Sequence, residues 1–492
     1  MACPESRIPY PVSRVPNPNP LSLNPVNGYA ERMYARYAQV RPHAAAPTVG
    51  GTAVGARHGV PVQTAGVGIA DRGQGKPSPY DRVYKIAVVI THPIQYFVPL
   101  FGRLAQEPAL DCTVLYSSLM GSEAYTDPGF GLQVKWDIPM LDGYRYKVLP
   151  AYFAASTRSF LSCTSPQILT ELRKGGYDAA MVFGWGRLTS WLAFLGAGLG
   201  RAPVMIYGDT NPLHESAKSR ILQCVRRPLL ASLFRRVAAF LVSGTFNRKF
   251  YESFGVPPEK CFPVPLAVDN DYFAARAASA RKRRDELRAR LGIAPEAVVL
   301  LFVGKLVPRK RPQDLLYAVA SLREKIPQLA VAIAGEGELR PFLESEIKRL
   351  SLKNVHLLGF KNQGELPEIY GISDIFALPS SREPRGLVTN EAMACGLPII
   401  ASDQTGVWGD GDLVRDGENG FVYPCGDVGA LAGAIHKLAA DPGRRERMAA
   451  RSQEIISGFG YDQCVQGILK ALEHQVSTPQ PPCNHPRNHP RR

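Results

Sequence analysis

The chain has 492 residues, of which 45% are apolar and 21% charged, so its composition is that of a globular protein with two or three domains and excludes a disordered scaffold. Nine cysteines without a C-x-x-C pair argue against a disulfide framework or a zinc cluster and favour a reducing compartment. The net charge of +15 favours anionic partners such as phosphorylated substrates or an anionic membrane surface. No aromatic and basic binding motif accompanies the charge, so we expect no nucleic-acid partner.

Both ends of the chain are rich in proline and small or polar residues, and residues 1–80 and 477–492 are predicted to be disordered. No signal peptide is apparent in the first thirty residues. The longest apolar run, residues 190–200, is well short of the roughly 20 residues that span a membrane, so we interpret it as a buried helix. The sequence therefore predicts a cytoplasmic protein, with peripheral contact at the inner face of the membrane as an option.

Short apolar runs bounded by turn residues alternate with helical patterns along the rest of the chain. Such runs are typical of buried parallel strands, and they occur at residues 84–91, 112–116, 179–183, 204–207, 239–243, 298–303, 329–334, 355–358, 375–378 and 399–401. The pattern predicts an α/β protein with two doubly wound Rossmann-like domains, residues 81–275 and 276–460, which face one another across a cleft. A linker is expected near residues 267–295, and a last helix, residues 461–476, is expected to pack back on the first domain.

The segment from residue 380 to 396, SSREPRGLVTNEAMACG, is the most informative part of the sequence. Glu383 and Glu391 are separated by seven residues, and a turn containing Gly386 leads into a helical pattern. A helix that begins at such a loop offers free backbone N–H groups and a positive dipole end to a diphosphate. By itself, however, a pair of spaced glutamates is also typical of a solvated helix face.

A second candidate element, GKLVPRKR, directly follows the predicted strand 298–303. Gly304 allows a tight turn at the strand end, and Lys305 and Lys310 can then reach the cleft. Two ammonium groups in that position would stabilise the negative charge that grows on a departing diphosphate. The alternative is a surface loop with solvated lysines.

Taken together, these elements resemble the donor domain of the group 1 type, retaining glycosyltransferases of family 4, which have the GT-B fold. The E-x7-E motif of that family matches Glu383 and Glu391, and its basic pair matches Lys305 and Lys310. The segments Gly335-Glu336-Gly337 and Leu358-Gly359-Phe360, residues 416–421, and Val268-Asp269 before Phe273 are also similar to the family. The resemblance covers residues 84–470, loosely before residue 240.

The resemblance implies a donor substrate, a nucleotide-diphosphate sugar, and no metal or other cofactor. Glu383 would contact the transferred sugar, and Glu391 would hold the donor ribose. Lys305 and Lys310 would bind the diphosphate and, with Glu383, carry the catalysis, which is commonly described as front-face attack within an ion pair. Phe360 and Lys361 would flank the base, and the backbone of Gly386, Leu387 and Val388 would hold phosphate or sugar oxygens. Gly304 is the remaining donor-binding candidate.

The chain departs from the family pattern at three places. Lys305 replaces the usual arginine, which keeps the charge but loses a bidentate fork. Arg385 stands where an aromatic residue is common, so sugar selection could differ. The phosphate loop lacks the frequent Gly-Gly and glutamate and has residues 406–410 (GVWGD) instead.

Four residues of the first domain are candidates for the acceptor side or for catalysis. His92 follows the first strand in THPIQYF, a phrase similar to bacterial polysaccharide transferases, and Trp185 and Arg187 follow another strand. Asp209 ends the run 204–207, near the place where many family members have a catalytic histidine. A core or capping role is the alternative for His92 and Asp209.

Two D-x-D triplets, residues 269–271 and 410–412, could indicate a metal-dependent enzyme, but we interpret both as surface turns. The resulting prediction is a retaining hexosyltransferase that acts on an unidentified glycan or lipid-linked acceptor in surface polysaccharide or glycolipid assembly. The alternatives are a nucleotide-sugar epimerase or a phosphorylase of the same fold, and a non-catalytic nucleotide-sugar-binding subunit. Contact with an anionic membrane is suggested by the basic segments 218–236 and 276–290.

Overall fold

A computed structural model describes residues 82–153, 159–214 and 220–477. The segments predicted to be disordered lie outside this part of the chain, apart from Ser477 at the end of the last helix. The described residues form two α/β domains, each built on a parallel sheet with helices on both faces.

The first domain is built on a seven-stranded parallel sheet with the order β5-β2-β1-β6-β7-β8-β9. Its central strands are almost fully buried because helices cover both faces, which is why they read as continuous apolar runs. The strands are β1 (Tyr84–Ile90), β2 (Leu110–Tyr116), β5 (Tyr146–Val148), β6 (Ala179–Phe183), β7 (Val204–Gly208), β8 (Ala239–Val242) and β9 (Cys261–Pro263). The helices between them are α1 (Val98–Gln106), α2 (Gln167–Lys174), α3 (Leu188–Gly200), α4 (Arg220–Arg236) and α5 (Thr245–Glu252).

The second domain has a six-stranded parallel sheet with the order β12-β11-β10-β13-β14-β15. Its strands are β10 (Val298–Val303), β11 (Leu329–Ala334), β12 (Val355–Gly359), β13 (Ile375–Leu378), β14 (Ile399–Ser402) and β15 (Gly420–Tyr423). Its helices are α6 (Asn270–Arg281), α7 (Arg284–Arg290), α8 (Gln313–Leu322), α9 (Arg340–Arg349), α10 (Leu366–Gly371), α11 (Leu387–Ala394), α12 (Val428–Ala439) and α13 (Pro442–Ile456). The prediction of two doubly wound domains is confirmed.

A short antiparallel hairpin projects from the first domain between β2 and β5. It consists of β3 (Tyr125–Asp127) and β4 (Leu132–Val134), joined by a turn through Pro128 and Gly129. This hairpin is not part of either large sheet, and its tip reaches the second domain.

The last helix, α14 (Tyr461–Ser477), returns to the first domain. Its apolar residues Cys464, Ile468 and Leu472 are buried in the same cluster as β1 and α1. The chain therefore crosses between the domains twice, and the two crossings are in contact, because Asn270 donates to Ile456 O at 3.0 Å.

The structure corrects two interpretations of the sequence. Helix α3 is not fully buried, because Leu195 and Leu199 are 53% and 54% exposed. The basic segment 276–290, suggested as a membrane contact, is exposed only in part: Arg276, Lys282, Arg283 and Arg290 are exposed, but Arg288 is buried and donates to Asp374 Oδ2 at 2.8 Å. Arg284 binds the other oxygen of Asp374, so these cations stabilise the second domain internally.

Candidate active site

Glu383 and Lys310 form a buried ion pair at the carboxyl end of the second sheet. Lys310 Nζ donates to Glu383 Oε2, and each side chain is about 10% exposed. Arg309 Nη1 lies 3.9 Å from the same oxygen and adds a second positive charge. Lys310 follows β10 and Glu383 follows β13, and these strands are neighbours in the sheet, so parallel topology brings the two residues together.

Lys305, at the end of the same strand, pairs with a carboxylate of the other domain. Its Nζ lies 2.7 and 2.8 Å from the two carboxylate oxygens of Asp127, in the β3–β4 hairpin. Burial alone would raise the pKa of Asp127, but hydrogen bonds from Lys305 and from the backbone of Gly129 lower it below its usual value. Asp127 is therefore ionised at neutral pH.

Gly304 makes the turn that separates β10 from the two lysines. Its φ of +152° lies in the region that favours glycine, and its N–H donates to Ala334 O at 3.0 Å. Gly335, at the end of the neighbouring strand, approaches so closely that a Cβ there would overlap Gly304 O. Two glycines thus let the strand ends pass in contact and leave the lysine side chains at the cleft.

Glu391 lies within α11, and its side chain is completely buried. It accepts hydrogen bonds from Tyr370 at 2.7 Å and, across the cleft, from Tyr96 at 3.1 Å; Tyr96 in turn accepts from Gln363 at 3.3 Å. Burial raises the pKa of Glu391 to about 7, although the hydrogen bonds from Tyr370, Tyr96 and Gln363 lower it. This carboxyl can therefore change its charge near neutral pH.

The first residues of α11 supply a helix N-terminus to the cleft. Gly386 is the N-cap, and helical hydrogen bonding begins with Thr389 N and Gly386 O at 2.8 Å. A Cβ on Gly386 would lie 3.0 Å from Leu378 and 3.3 Å from Glu383, so the position is tightly enclosed. The amides of Gly386, Leu387 and Val388 are the ones that an α-helix leaves without internal partners.

Phe360 and Lys361 follow β12 at the outer side of the cleft. Phe360 contacts two rings of the first domain: Phe130, with ring centroids 5.0 Å apart, and Trp136, at 6.3 Å. The Lys361 ammonium instead pairs within the second domain, with Glu365 at 3.1 Å.

Arg385 and Asp412 form the most deeply buried ion pair of the cleft. Arg385 Nη1 donates to Asp412 Oδ1 at 2.6 Å, and the other carboxylate oxygen accepts from Thr245 N at 2.8 Å, at the first turn of α5 in the first domain. Asp412 thus also interacts with the positive end of a helix dipole. The interpretation of residues 410–412 as a surface turn is wrong for Asp412, which is 1% exposed.

Asp209 lies on the first-domain side of the cleft, beyond the end of β7. The surrounding protein raises its pKa through desolvation, repulsion by Glu383 adds to the rise, and Arg385 opposes it. The Asp209 side chain is itself exposed. The neighbouring Asn211 donates from Nδ2 to Pro384 O at 3.1 Å, which fixes this loop against the Glu383 segment.

The three acceptor-side candidates of the first domain have different surroundings. His92 is half-buried, and desolvation and the charge of Arg187 lower its pKa to about 4. Trp185 is 8% exposed and stacks on Phe250 at 5.7 Å, so its ring belongs to the core of the first domain. Arg187 binds Ser159 O and Ser162 Oγ.

Several cleft residues were missed at the level of sequence. Tyr96 lies within the THPIQYF phrase, where no property of the sequence distinguishes it from its neighbours, and Tyr370 and Gln363 belong to no motif. Asp127, Phe130 and Trp136 occupy a region for which the sequence predicted no element. The Asp-Pro-Gly turn at residues 127–129 was the available signal for a hairpin there. Among the described residues, no group of three or more His, Cys, Asp or Glu side chains is arranged to hold a metal ion.

The sequence similarity to known proteins includes most of the second domain. Residues 283–455 match the family model described as glycosyl transferases group 1. The chain is similar to the D-inositol 3-phosphate glycosyltransferase of Thermomonospora curvata, with 34% identity over 235 residues, 45% of this chain and 53% of that protein. The corresponding protein of Streptomyces bingchenggensis is 28% identical over 344 residues, 65% of this chain and 71% of that protein. This chain thus spans about half the length of the Thermomonospora protein.

Solved structures extend the likeness to both domains. Anabaena Alr3699/HepE in complex with UDP matches with a TM-score of 0.60 and 18% identity, over 79% of this chain and 99% of that one. WaaG, a glycosyltransferase involved in lipopolysaccharide biosynthesis, matches with a TM-score of 0.54 and 17% identity, over 80% of this chain and all of that one. At such low identity these matches concern the fold, which is the GT-B arrangement of two Rossmann-like domains.

Proposed function

We propose that this chain, whose residues 283–455 match the model of the group 1 glycosyltransferases, transfers a sugar from a nucleotide-diphosphate donor to an acceptor with retention of anomeric configuration. The main supporting observation is that Lys310 pairs with Glu383 beside Gly386, the N-cap of α11, and that Lys305 follows the same strand as Lys310. These groups match what the reaction requires: positive charge for a departing diphosphate and carboxylates for sugar and ribose hydroxyls. The likeness to a structure solved with UDP supports a nucleotide donor.

In the proposed mechanism the protein stabilises charge and holds the substrates, and it forms no covalent bond with the sugar. As the bond between sugar and diphosphate breaks, negative charge grows on the diphosphate, and Lys305, Lys310 and the first amides of α11 would stabilise it. Glu383, held by Lys310, would contact the sugar, and Glu391 would accept hydrogen bonds from the ribose. The acceptor hydroxyl would attack from the side that the diphosphate leaves and give up its proton to the leaving group. In this scheme lysines provide the positive charge, and no metal is required.

For the acceptor, we propose a glycan or lipid-linked molecule used in surface polysaccharide or glycolipid assembly, reached from an anionic membrane. The first domain carries exposed leucines on adjacent helices: Leu195 and Leu199 on α3 and Leu229, 52% exposed, on α4. Exposed arginines occur near these leucines in the sequence, namely Arg201, Arg227, Arg235 and Arg236. Apolar side chains beside cations are the combination that binds the interface of an anionic bilayer. Among the described residues, no helix has the length and apolar character needed to cross a bilayer.

Donor use is tested by binding and turnover with a panel of UDP-, GDP-, ADP- and dTDP-sugars. Saturation at 100 times the dissociation constant adds about 2.7 kcal/mol to the free energy of unfolding, a shift that a thermal melt resolves. Glu383→Gln should lower kcat by about 10²-fold or more, because it removes a charge aligned with the reacting sugar. Glu324→Gln, an exposed carboxylate outside the cleft, is the matched control. NMR of the product reports the anomeric configuration, and EDTA tests the metal independence.

The outcomes separate the candidate functions. Binding of one nucleotide class with turnover and retention supports the proposal. Binding without turnover across the acceptor screen favours a non-catalytic subunit, and inversion or loss of activity in EDTA contradicts the mechanism. Absence of any donor binding would refute the proposed function.

Membrane contact is tested by sedimentation with anionic liposomes at low salt. The double substitution Leu195→Gln and Leu199→Gln should reduce binding, and raised salt should weaken binding of the unmodified protein by screening the arginines. Val83→Gln changes an exposed apolar residue on another part of the first domain and is the control. Equal sedimentation of all three proteins with anionic and neutral vesicles would contradict the membrane assignment.

A further inference from the structure

The segment 125–137, which contains the β3–β4 hairpin, makes its cross-cleft contacts with the side of the second domain that we assign to the nucleotide. Besides the pairing of Asp127 with Lys305, Asn362 donates to Lys135 O at 2.7 Å, and Gly364 N donates to Asp137 at 2.8 Å. All of these partners follow β10 or β12 at the same edge of the sheet. The hairpin therefore covers the groups that a donor would need.

The chemistry of these contacts parallels that of a nucleoside diphosphate. The Asp127 carboxylate gives the Lys305 ammonium an anion, as a phosphate would. The Phe130 ring gives Phe360 an aromatic partner in edge-to-face geometry at 80°, as a base would. Lys305 also lies 4.7 Å from the centroid of the Phe130 ring. One short segment thus presents an anion and an aromatic ring to the two groups that flank the diphosphate and the base.

The turn packs closely against Lys305. A Cβ on Gly129 would lie 2.6 Å from Lys305 Cδ, so the backbone of the turn is in close contact with the lysine stem. Asp127 is 7% exposed and is held by the amides of Gly129 at 2.8 Å and Phe130 at 3.1 Å. The carboxylate is therefore oriented by its own turn and would repel a second anion at the same ammonium.

We propose that the segment 125–137 occupies the place of the nucleotide in the unliganded protein, and that a nucleoside-diphosphate donor must displace Asp127 from Lys305 and Phe130 from Phe360. The inference rests on the proposed function, since it names a competitor for the same donor site. The hairpin would then regulate donor access. The donor site stays covered until the phosphate of a donor replaces the Asp127 carboxylate and its base replaces the Phe130 ring.

The test is the donor affinity of Asp127→Asn, measured by calorimetry with the nucleotide sugar that binds the unmodified protein. Loss of the carboxylate charge should tighten binding about three- to tenfold, equivalent to roughly 0.6–1.4 kcal/mol. Asp142→Asn removes an exposed charge from the same domain outside the hairpin and should leave the affinity unchanged. An increase in affinity is diagnostic, because damage to a structural residue would lower it.

A second measurement follows the hairpin directly. Trp136 lies on this segment, so the difference in fluorescence between the unmodified protein and Trp136→Phe should change when donor saturates the site. If Asp127→Asn does not fold, Phe130→Ala with the same fluorescence readout decides the question. Donor binding that is equal or weaker in Asp127→Asn, or a Trp136 signal unaffected by saturating donor, overturns the inference alone. Failure of the unmodified protein and every variant to bind any donor overturns the proposed function, and the inference with it.

Discussion

The charge of Glu391 provides the sharpest prediction about the donor site. Its carboxyl is fully buried, and burial raises its pKa to about 7 against the hydrogen bonds of Tyr370, Tyr96 and Gln363. Only the ionised form can accept hydrogen bonds from both ribose hydroxyls while it keeps those of the tyrosines. We therefore expect donor affinity to increase as the pH rises through about 7 and to level off above about 8.

The magnitude follows from the fraction of ionised carboxyl. If only that form binds, a group with a pKa of about 7 makes the apparent dissociation constant about tenfold larger at pH 6 than at pH 8. Tyr96→Phe removes one hydrogen bond to the charged form, at 3.1 Å, and should raise the pKa by about one unit. The variant should then bind donor about fivefold more weakly at pH 7 and almost equally at pH 9.

The assay is calorimetric titration between pH 6 and 9 with a nucleotide sugar. A free nucleoside diphosphate is unsuitable, because its terminal phosphate itself titrates near pH 6. The pKa of His92 is lowered to about 4, so it does not change charge in this range. Glu391→Gln should bind weakly and without pH dependence. A flat profile for the unmodified protein, or a Tyr96→Phe defect of equal size at pH 7 and pH 9, would refute the reasoning.

Further predictions concern stability, each measured by chemical unfolding. Because the folded-state pKa of Glu391 is raised, its contribution to stability is most favourable below pH 4.5 and is lost as the pH rises through about 7. Relative to the unmodified protein, the free energy of unfolding of Glu391→Gln should therefore be of the order of 3 kcal/mol more favourable at pH 8 than at pH 4. An equal effect of the substitution at both pH values would contradict the raised pKa. Arg385→Leu leaves Asp412 buried without its partner and should cost about 3–5 kcal/mol; recovery in the double variant with Asp412→Asn would assign the loss to the stranded charge, and a loss below about 1 kcal/mol would argue against the buried pair. Gly335→Ala should be strongly destabilising because its Cβ would overlap a backbone carbonyl at a φ of +156°, and neutrality would mean that the strand ends are further apart. Trp185→Ala should cost about 3–5 kcal/mol as a core substitution, whereas lost activity at unchanged stability would restore its acceptor-side role.

The sequence by itself determined the fold class and most of the strands. Residues 179–183, 298–303, 329–334 and 375–378 were predicted as strands with the bounds that the structure has. The reason is that central strands of a parallel sheet are covered on both faces and must be apolar throughout. Strand β5 was not predicted, because it is an edge strand whose three residues are all exposed and which therefore has no apolar run.

The sequence also determined one side of the candidate site. Lys305, Lys310 and Glu383 each follow a strand of one sheet, and the carboxyl ends of parallel strands meet at one edge. Their position at one edge of the sheet is thus a consequence of the doubly wound topology, which the alternation of apolar runs and helical patterns predicts. Only the pairing of Lys310 with Glu383, as against two independent solvated groups, required the structure.

The other side of the site was decided by how the two domains dock. Asp127 is 178 residues from Lys305, and Tyr96 is 295 residues from Glu391. No local pattern encodes such contacts, because they depend on the relative position of two separately folded units. The same docking buries Asp412 against the first turn of α5, where a short Asp-Gly-Asp sequence had suggested a surface turn. Burial and charge state in the cleft are therefore properties of the assembled domains, because a polar side chain can be desolvated only by the surface that covers it.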